Sequence, residues 1–205
     1  MTIEGDLFAA DAPVVPGLRL VADAVTPADE RALAARIDAA PLRPFEFGQW
    51  RGKRLTAHYG SAYDFTRGRL GEAPPLPGWL LALRTRVAPL AGLEPGALEA
   101  ALLIRYDPGA GIGWHRDRPQ YGEVLGLSLG ADCVMRLRRR TQTGFERRQL
   151  RVPARSLYWL SGEVRWEWHH SIAPMAETRW SVTFRTLRRP EDEALRNARN
   201  PRRLP

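Results

Sequence analysis

The chain is short of several things, and each shortage excludes something. It has one cysteine, Cys133, in 205 residues, so no intramolecular disulfide and no paired-cysteine metal site can form. A reducing compartment fits that usage, and a cytoplasmic setting is the expectation. Cys133 itself reads as a small buried hydrophobe. There is one lysine, Lys53, and there are four histidines. No apolar run approaches the ~20 residues a membrane helix needs, so no membrane partner is expected. Met1 to Ala10 carries acids and no basic segment, and is not read as a secretory signal. The chain shows no glycine-rich phosphate loop and no internal repeat.

What is present is ordinary in amount and unusual in kind. Hydrophobic residues make up 44% and charged residues 26%, which excludes a largely disordered chain. Basic residues outnumber acidic ones 31 to 23, for a net charge of +8, and all but one of them are arginine. A codon preference for arginine explains the missing lysines but not the excess. A polyanion partner, nucleic acid first, explains the excess. Eight arginines and a single acid, Glu146, fall between residues 136 and 155. This stretch reads as a hairpin turning near Thr143-Gly144, either a rim for a phosphate backbone or a solvated sheet edge.

The fold class expected is α+β, with helices first and strands after. A short strand is read around Val14–Leu20. Thr26 suits an N-cap and Pro27 the first helical position, so a helix is expected over Pro27–Ala40. Residues 45–77 mix aromatics with glycine and proline and read as short strands or a surface flap. A second helix is expected over Gly78–Pro89, and a short helical turn around Pro95–Ala100. From residue 101, β-rich runs recur at 101–106, 112–115, 124–129, 132–138, 147–152, 155–160, 165–172 and 179–186. Strands at that spacing indicate a jelly roll, that is, a double-stranded β-helix core. The division expected is one domain over 1–187, with helices and flap in 1–100, the jelly roll in 101–187 and a flexible basic tail over 188–205. A monomer is expected.

Three segments carry chemistry. In Trp114-His115-Arg116-Asp117, residues two apart on a strand point to the same side, so an imidazole and a carboxylate can meet one point. In Trp168-His169-His170-Ser171-Ile172, only one of the adjacent histidines can face that same point. A third ligand would complete the two-histidine, one-carboxylate set of non-haem iron oxygenases. In Arg179 to Arg185, cationic and polar residues alternate with Trp180, Val182 and Phe184. Inside a β cavity such a row calls for an anion, and a guanidinium binds a carboxylate in bidentate fashion. On an edge strand it would simply face water.

Order and spacing combine these weak signals. Leu102-Leu103-Ile104-Arg105-Tyr106-x-Pro-Gly is followed by Ile112-Gly113-Trp114-His115-x-Asp117 and Leu127-Ser128-Leu129-Gly130. Then come Ser161-Gly162-Glu163-x-Arg165, Trp168-x-His170-Ser171-Ile172 and Arg179-x-Ser181-x-Thr183-Phe184-Arg185. From about Leu102 to Leu187 the chain resembles the AlkB-like family of 2-oxoglutarate/Fe(II)-dependent dioxygenases. The resemblance implies Fe(II), 2-oxoglutarate and O2 as cofactors, with His115, Asp117 and His170 as iron ligands. It implies Arg179 and Tyr106 at the distal carboxylate of 2-oxoglutarate, Arg185 near its other end, and Ser181 on the same strand face. Trp50, Tyr59, Tyr63 and Asp64 fall where the family's flap covers the site and contacts substrate. Three departures stand out: Ile104 where the family has asparagine, Ser181 where repair enzymes carry asparagine between the two family arginines, and Arg118-Pro119-Gln120 where they carry a base-reading acid. The activity implied is oxidative demethylation of N-alkylated bases in DNA or RNA. The alternatives are hydroxylation or demethylation of a protein or small molecule, and a non-catalytic nucleic-acid-binding module.

Overall fold

A computed structural model describes residues 14–47, 50–64 and 67–188. Thirteen strands and three helices are present among them. Helix α1 spans Pro27–Asp38 and begins as expected: Thr26 and Asp29 form a capping box, each side chain accepting from the other's backbone N–H. Helix α2 spans Gly78–Val87 and runs on into a single 3₁₀ turn over Ala88–Ala91. Strand β1 is Leu18–Val21, β2 is Arg43–Phe47, β3 is Trp50–Tyr59, β4 is Ser61–Asp64 and β5 is Arg69–Glu72. The flap region thus contributes strands, and β3 is ten residues long.

The core strands are β6 (Leu98–Tyr106), β7 (Ile112–His115), β8 (Tyr121–Gly130) and β9 (Cys133–Thr141), followed by β10 (Gly144–Val152), β11 (Leu157–Leu160), β12 (His169–Ile172) and β13 (Arg179–Leu187). One expected strand is corrected. Residues 165–172 do not form a single strand, because Gly162–Glu167 is a short helix, α3, and only His169–Ile172 is extended. Ser161 and Gly162, with a positive φ of 50° at the glycine, turn the chain into that helix.

The strands divide between two main sheets. The larger has the order β1-β11-β8-β13-β6-β3-β2 and the smaller β10-β9-β12-β7, while β4 and β5 pair separately. From β6 to β13 the chain switches sheets at almost every strand, which is a jelly-roll winding. Strand β13 lies between β8 and β6 in the larger sheet, so its polar row is buried and is no edge.

Each sheet has two faces with different partners. On β13, Val182 and Phe184 face outward from the roll and pack with Leu33 and Ile37 of α1 and Leu80 and Leu83 of α2. On β3, Ala57 and Tyr59 join that same apolar layer. The inward face of the roll is filled by a second layer, in which Met135, Leu137, Tyr158, Leu160, Trp168 and Ile172 meet. A third, smaller group, Ile104, Tyr106 and Ala110, closes the end of the roll where the site lies. Alternation along each strand decides which layer a residue joins.

Gly126 on β8 is a contact point between backbone and ring: a Cβ there would overlap the Tyr158 ring. Tyr158 is buried, so the ring has nowhere to move. Gly126→Ala is expected to lower stability by about 1–3 kcal/mol, read as a shift of the urea midpoint without a change in slope.

Candidate active site

The site forms where β7 and β12 lie side by side. They pair antiparallel with His170 directly opposite His115, and the two ring centroids are 4.2 Å apart. Asp117 follows two residues after His115, and its Oδ2 lies 3.7 Å from His170 Nε2. The ligand atoms offered by His115, Asp117 and His170 all fall within 4.8 Å of one another, a group that can hold a metal ion. His169, the other member of the pair, occupies the opposite face of β12.

Local contacts fix each of these side chains. His115 Nδ1 is 2.9 Å from the Gly113 carbonyl oxygen, which can only accept, so Nδ1 carries the proton and Nε2 is left as the donor atom. Arg185 on β13 donates its Nε to Asp117 Oδ1 at 2.7 Å. Arg165 of α3 is 3% exposed and spends its guanidinium on main chain. It donates to the carbonyls of Gly122 at 2.5 Å, Asp117 at 3.3 Å, Arg118 at 2.8 Å and Tyr121 at 2.6 Å. The loop that carries Asp117 is thereby stapled to α3.

The protonation states suit a cation. Burial opposes ionisation of Asp117, but Arg185, His170, Arg165 and His115 together outweigh it and hold the carboxyl below its usual range. Burial, then the neighbouring His115, pushes His170 down to about 3. Burial likewise lowers His115. Two neutral imidazoles and one carboxylate are the donor set that non-haem Fe(II) takes.

The second component is a buried cation without an anion. Arg179 is 1% exposed; its Nε donates to Ser128 Oγ at 2.9 Å and Tyr106 lies beneath it, paired with it across β13 and β6. Among the described residues no carboxylate meets it, and its Nη2 is buried without an acceptor, as is Ser181 Oγ. Holding a bare guanidinium there costs several kcal/mol unless an anion arrives. A dicarboxylate that also reaches the metal fits that need. Arg185, by contrast, spends its Nε on Asp117.

The flap candidates separate. Tyr59 is a correction: the parity of β3 turns it into the apolar layer under α1 and α2, away from the site. Tyr63 reaches the site's border, where the Arg118 guanidinium lies 4.7 Å from its ring centre. Asp64 accepts from the Arg67 backbone at 3.0 Å and so organises the β4–β5 turn. The Trp50 side chain and residues 189–205 of the tail lie outside the described residues.

The sequence reading missed the other parity of β3. Arg54 and Thr56 are buried there, and His58 shares their side. Arg54 stacks on the Phe45 ring at 4.1 Å, and its Nε has no acceptor. Its charge is felt at Tyr106, His58 and His115, which places it in the same chamber. The signal was there to be read, because Arg54, Thr56 and His58 are three polar residues at period two.

A jelly roll with this triad and an unpaired buried arginine beside it defines a 2-oxoglutarate-dependent Fe(II) dioxygenase. The chain belongs to the 2OG-Fe(II) oxygenase superfamily, whose family model matches residues 44–203. That family uses Fe(II), 2-oxoglutarate and O2. Among curated proteins, relatives carry ALKBH8 names. The chain is 29% identical over 187 residues to the Arabidopsis thaliana "Alkylated DNA repair protein ALKBH8 homolog", covering 77% of this chain and 51% of that one. It is 32% identical over 164 residues to the Xenopus tropicalis "tRNA (carboxymethyluridine(34)-5-O)-methyltransferase alkbh8", covering 78% of this chain and 25% of that one. The chain thus spans about half the length of the first and a quarter of the second. Two solved structures share the fold. OsALKBH1 matches at a TM-score of 0.62 and 15% identity, over 84% of this chain and 97% of that one. A Pseudomonas putida prolyl-4-hydroxylase matches at 0.56 and 22%, over 84% and 93%.

Two outcomes follow from this geometry. Arg165→Met removes the donor from four carbonyls. It is expected to lower stability by about 3 kcal/mol or more in chemical denaturation, and to weaken metal binding in a titration. His58 is pushed down to about 4 from 6.5, first by burial and then by Arg185 and Arg54. An unfolded His58 takes up a proton below about pH 6.5 that the folded one refuses until about pH 4. Its contribution to stability is full above that window and is lost as pH falls, by up to about 1.4 kcal/mol per pH unit. His58→Asn is expected to lose less stability than the parent between about pH 7.5 and about pH 5, compared by urea midpoints.

Proposed function

We propose that this chain holds Fe(II) with His115, Asp117 and His170, holds 2-oxoglutarate with Arg179, and oxidises a C–H bond on a nucleic-acid base. The observation that carries the reading is Arg179: a fully buried guanidinium with no carboxylate among the described residues, on the same face of β13 as Arg185, whose Nε meets the triad's Asp117. Bound Fe(II), 2-oxoglutarate and O2 supply C–H oxidation coupled to decarboxylation of the co-substrate to succinate, and an N-methyl group so oxidised leaves as formaldehyde.

The chain's own residues do the rest. Arg179 takes the distal carboxylate, with the Tyr106 hydroxyl and Ser181 Oγ as further partners. Arg54 adds a second positive charge from β3, two strands away across β6. Arg185 keeps Asp117 ionised and oriented. His115, its Nδ1 proton held by Gly113, turns Nε2 inward. Ile104, Ala110 and Tyr106, with Leu102, Ile112 and Met175 against them, wall the chamber with apolar surface and exclude water. Ile104, which replaces a polar residue expected from the family, belongs to that wall, and its partner across β3 is the buried Thr56.

The net charge of +8 supports a nucleic-acid substrate. So do the names of the relatives, one called a repair protein for alkylated DNA and the other acting on a tRNA uridine. Oxidative removal of an N-alkyl group, in RNA or DNA, is the leading form of the reaction.

The test is anaerobic binding of Fe(II) and 2-oxoglutarate, followed by their weak visible charge-transfer band. Oxygen is then admitted over methylated RNA or DNA oligonucleotides, and succinate and formaldehyde are assayed. The band, with succinate and formaldehyde in step, is the expected result. Arg179→Gln is expected to raise the 2-oxoglutarate concentration needed for the band at least about tenfold. Succinate without formaldehyde would move the substrate to a protein or small molecule. Full turnover by the His115→Ala, Asp117→Ala double variant would overturn the site.

A further inference from the structure

The arginines of the β9–β10 hairpin are of two kinds. Arg139 donates to Glu146 at 2.7 Å and Glu163 at 2.9 Å, Arg148 meets Glu146 at 2.7 Å, and Arg151 meets Asp132 at 2.9 Å. These are neutralised. Among the described residues, Arg136, Arg138, Arg140 and Arg147 meet no carboxylate.

The unpaired group shares one surface. Strand alternation puts Met135 and Leu137 inward, so Arg136, Arg138 and Arg140 point outward from the smaller sheet. Arg147 pairs with Arg138 and Phe145 with Arg140 across the hairpin. On the other side, His169 pairs with Arg138. Trp114, on β7, completes the surface. The chain therefore turns one face of β7, β12, β9 and β10 to the metal site and the other to a cationic, aromatic plane.

The rings organise the charges. The Arg138 guanidinium lies 4.4 Å from the Trp114 ring centre and 4.6 Å from that of Phe145; Arg136 lies 5.4 Å from Trp114 and Arg147 lies 5.7 Å from Phe145. Stacking uses the face of a guanidinium and leaves its N–H edge for other partners; Arg136 spends its Nε on Ser171 Oγ at 3.1 Å and Arg147 one N–H on the Phe145 carbonyl at 3.4 Å. Arg138 Nε and His169 Nδ1 are buried there without a partner. If these arginines served only solubility, neither ordered stacking nor sorting away from the acids would be needed.

We propose that this outward face binds the backbone of a single-stranded nucleic acid, phosphates on the guanidinium edges and unstacked bases against the ring and guanidinium planes. A duplex hides its bases and could use only the charges, so the aromatic content selects a single strand. The inference rests on the nucleic-acid reading above and adds where the strand lies and which form it takes.

The test is fluorescence anisotropy of a labelled single-stranded RNA of about 20 nucleotides, titrated with the full chain at several salt concentrations. Arg138→Gln with Arg147→Gln removes two charges from the face. Arg31→Gln with Arg36→Gln removes two from α1, on the far side of the larger sheet, as a charge-matched control. The face variant is expected to bind about tenfold more weakly near 0.1 M salt, with a log–log salt slope shallower by about 1.4. The control is expected to keep the parent's affinity within about twofold. Thermal melts and the iron/2-oxoglutarate band are expected to be unchanged in both. Equal losses in the two variants, or none in either, would overturn the assignment of the face while leaving the nucleic-acid reading intact. Tighter binding of an equal-length duplex would overturn the single-strand assignment. No binding by the parent chain even at about 50 mM salt would overturn both.

Discussion

The register of β12 between β7 and β9 is the constraint on which the rest depends. Because side chains alternate, a slip of one residue would exchange His170 for His169 on the inner face. The triad would then lose its third member. Leu137 opposite His170 on one side, and His115 on the other, hold the alignment. Ile172, packed against Met135 in the inner apolar layer, would be turned outward by a one-residue slip of β12, so hydrophobic burial enforces the register that the chemistry needs. The same alternation generates the outer plane of Trp114, Arg138 and His169. One pairing thus sets both the site and the surface behind it.

The interior is rich in arginine, and each buried guanidinium is accommodated differently. Arg165 has its N–H donors satisfied by carbonyl oxygens and becomes a structural staple for the Asp117 loop. Arg185 is neutralised by Asp117 and lowers its proton affinity. Arg54 rests on an aromatic ring. Arg179 has hydroxyl neighbours but, among the described residues, no counter-charge. Leaving such a residue without a counter-charge is costly, so the absence of a carboxylate around Arg179 among the described residues says more about function than the presence of the arginine does.

Much of this was legible along the chain. The capping box at Thr26 and Asp29, the order of helices then strands, the hairpin near Thr143 and the polar alternation of Arg179 to Arg185 all follow from local chemistry and period. The choice of His170 over His169 came from the family resemblance, since alternation alone says only that one of the two can face the site. Less legible was anything that needed a strand's parity relative to the core. Tyr59 reads as a stacking residue because it is aromatic and lies in a flap-like segment, yet it packs under the helices. Arg54 and His58, one step out of phase with it, reach the chamber instead. The stretch 165–172 has β-forming residues throughout, but Ser161 and Gly162 start a helical turn whose Arg165 finds acceptors at the start of β8, more than forty residues earlier.

The sequence by itself determined the donor set, its spacing and the excess of arginine, because these are properties of residue type and order. Only the tertiary structure decided which arginines are paired and which are not, and which side of β3 faces the metal chamber. It also decided that β13 is a central strand rather than an edge. These depend on which strands become neighbours, and neighbours in a sheet are chosen by burial across the whole roll, not by any one segment.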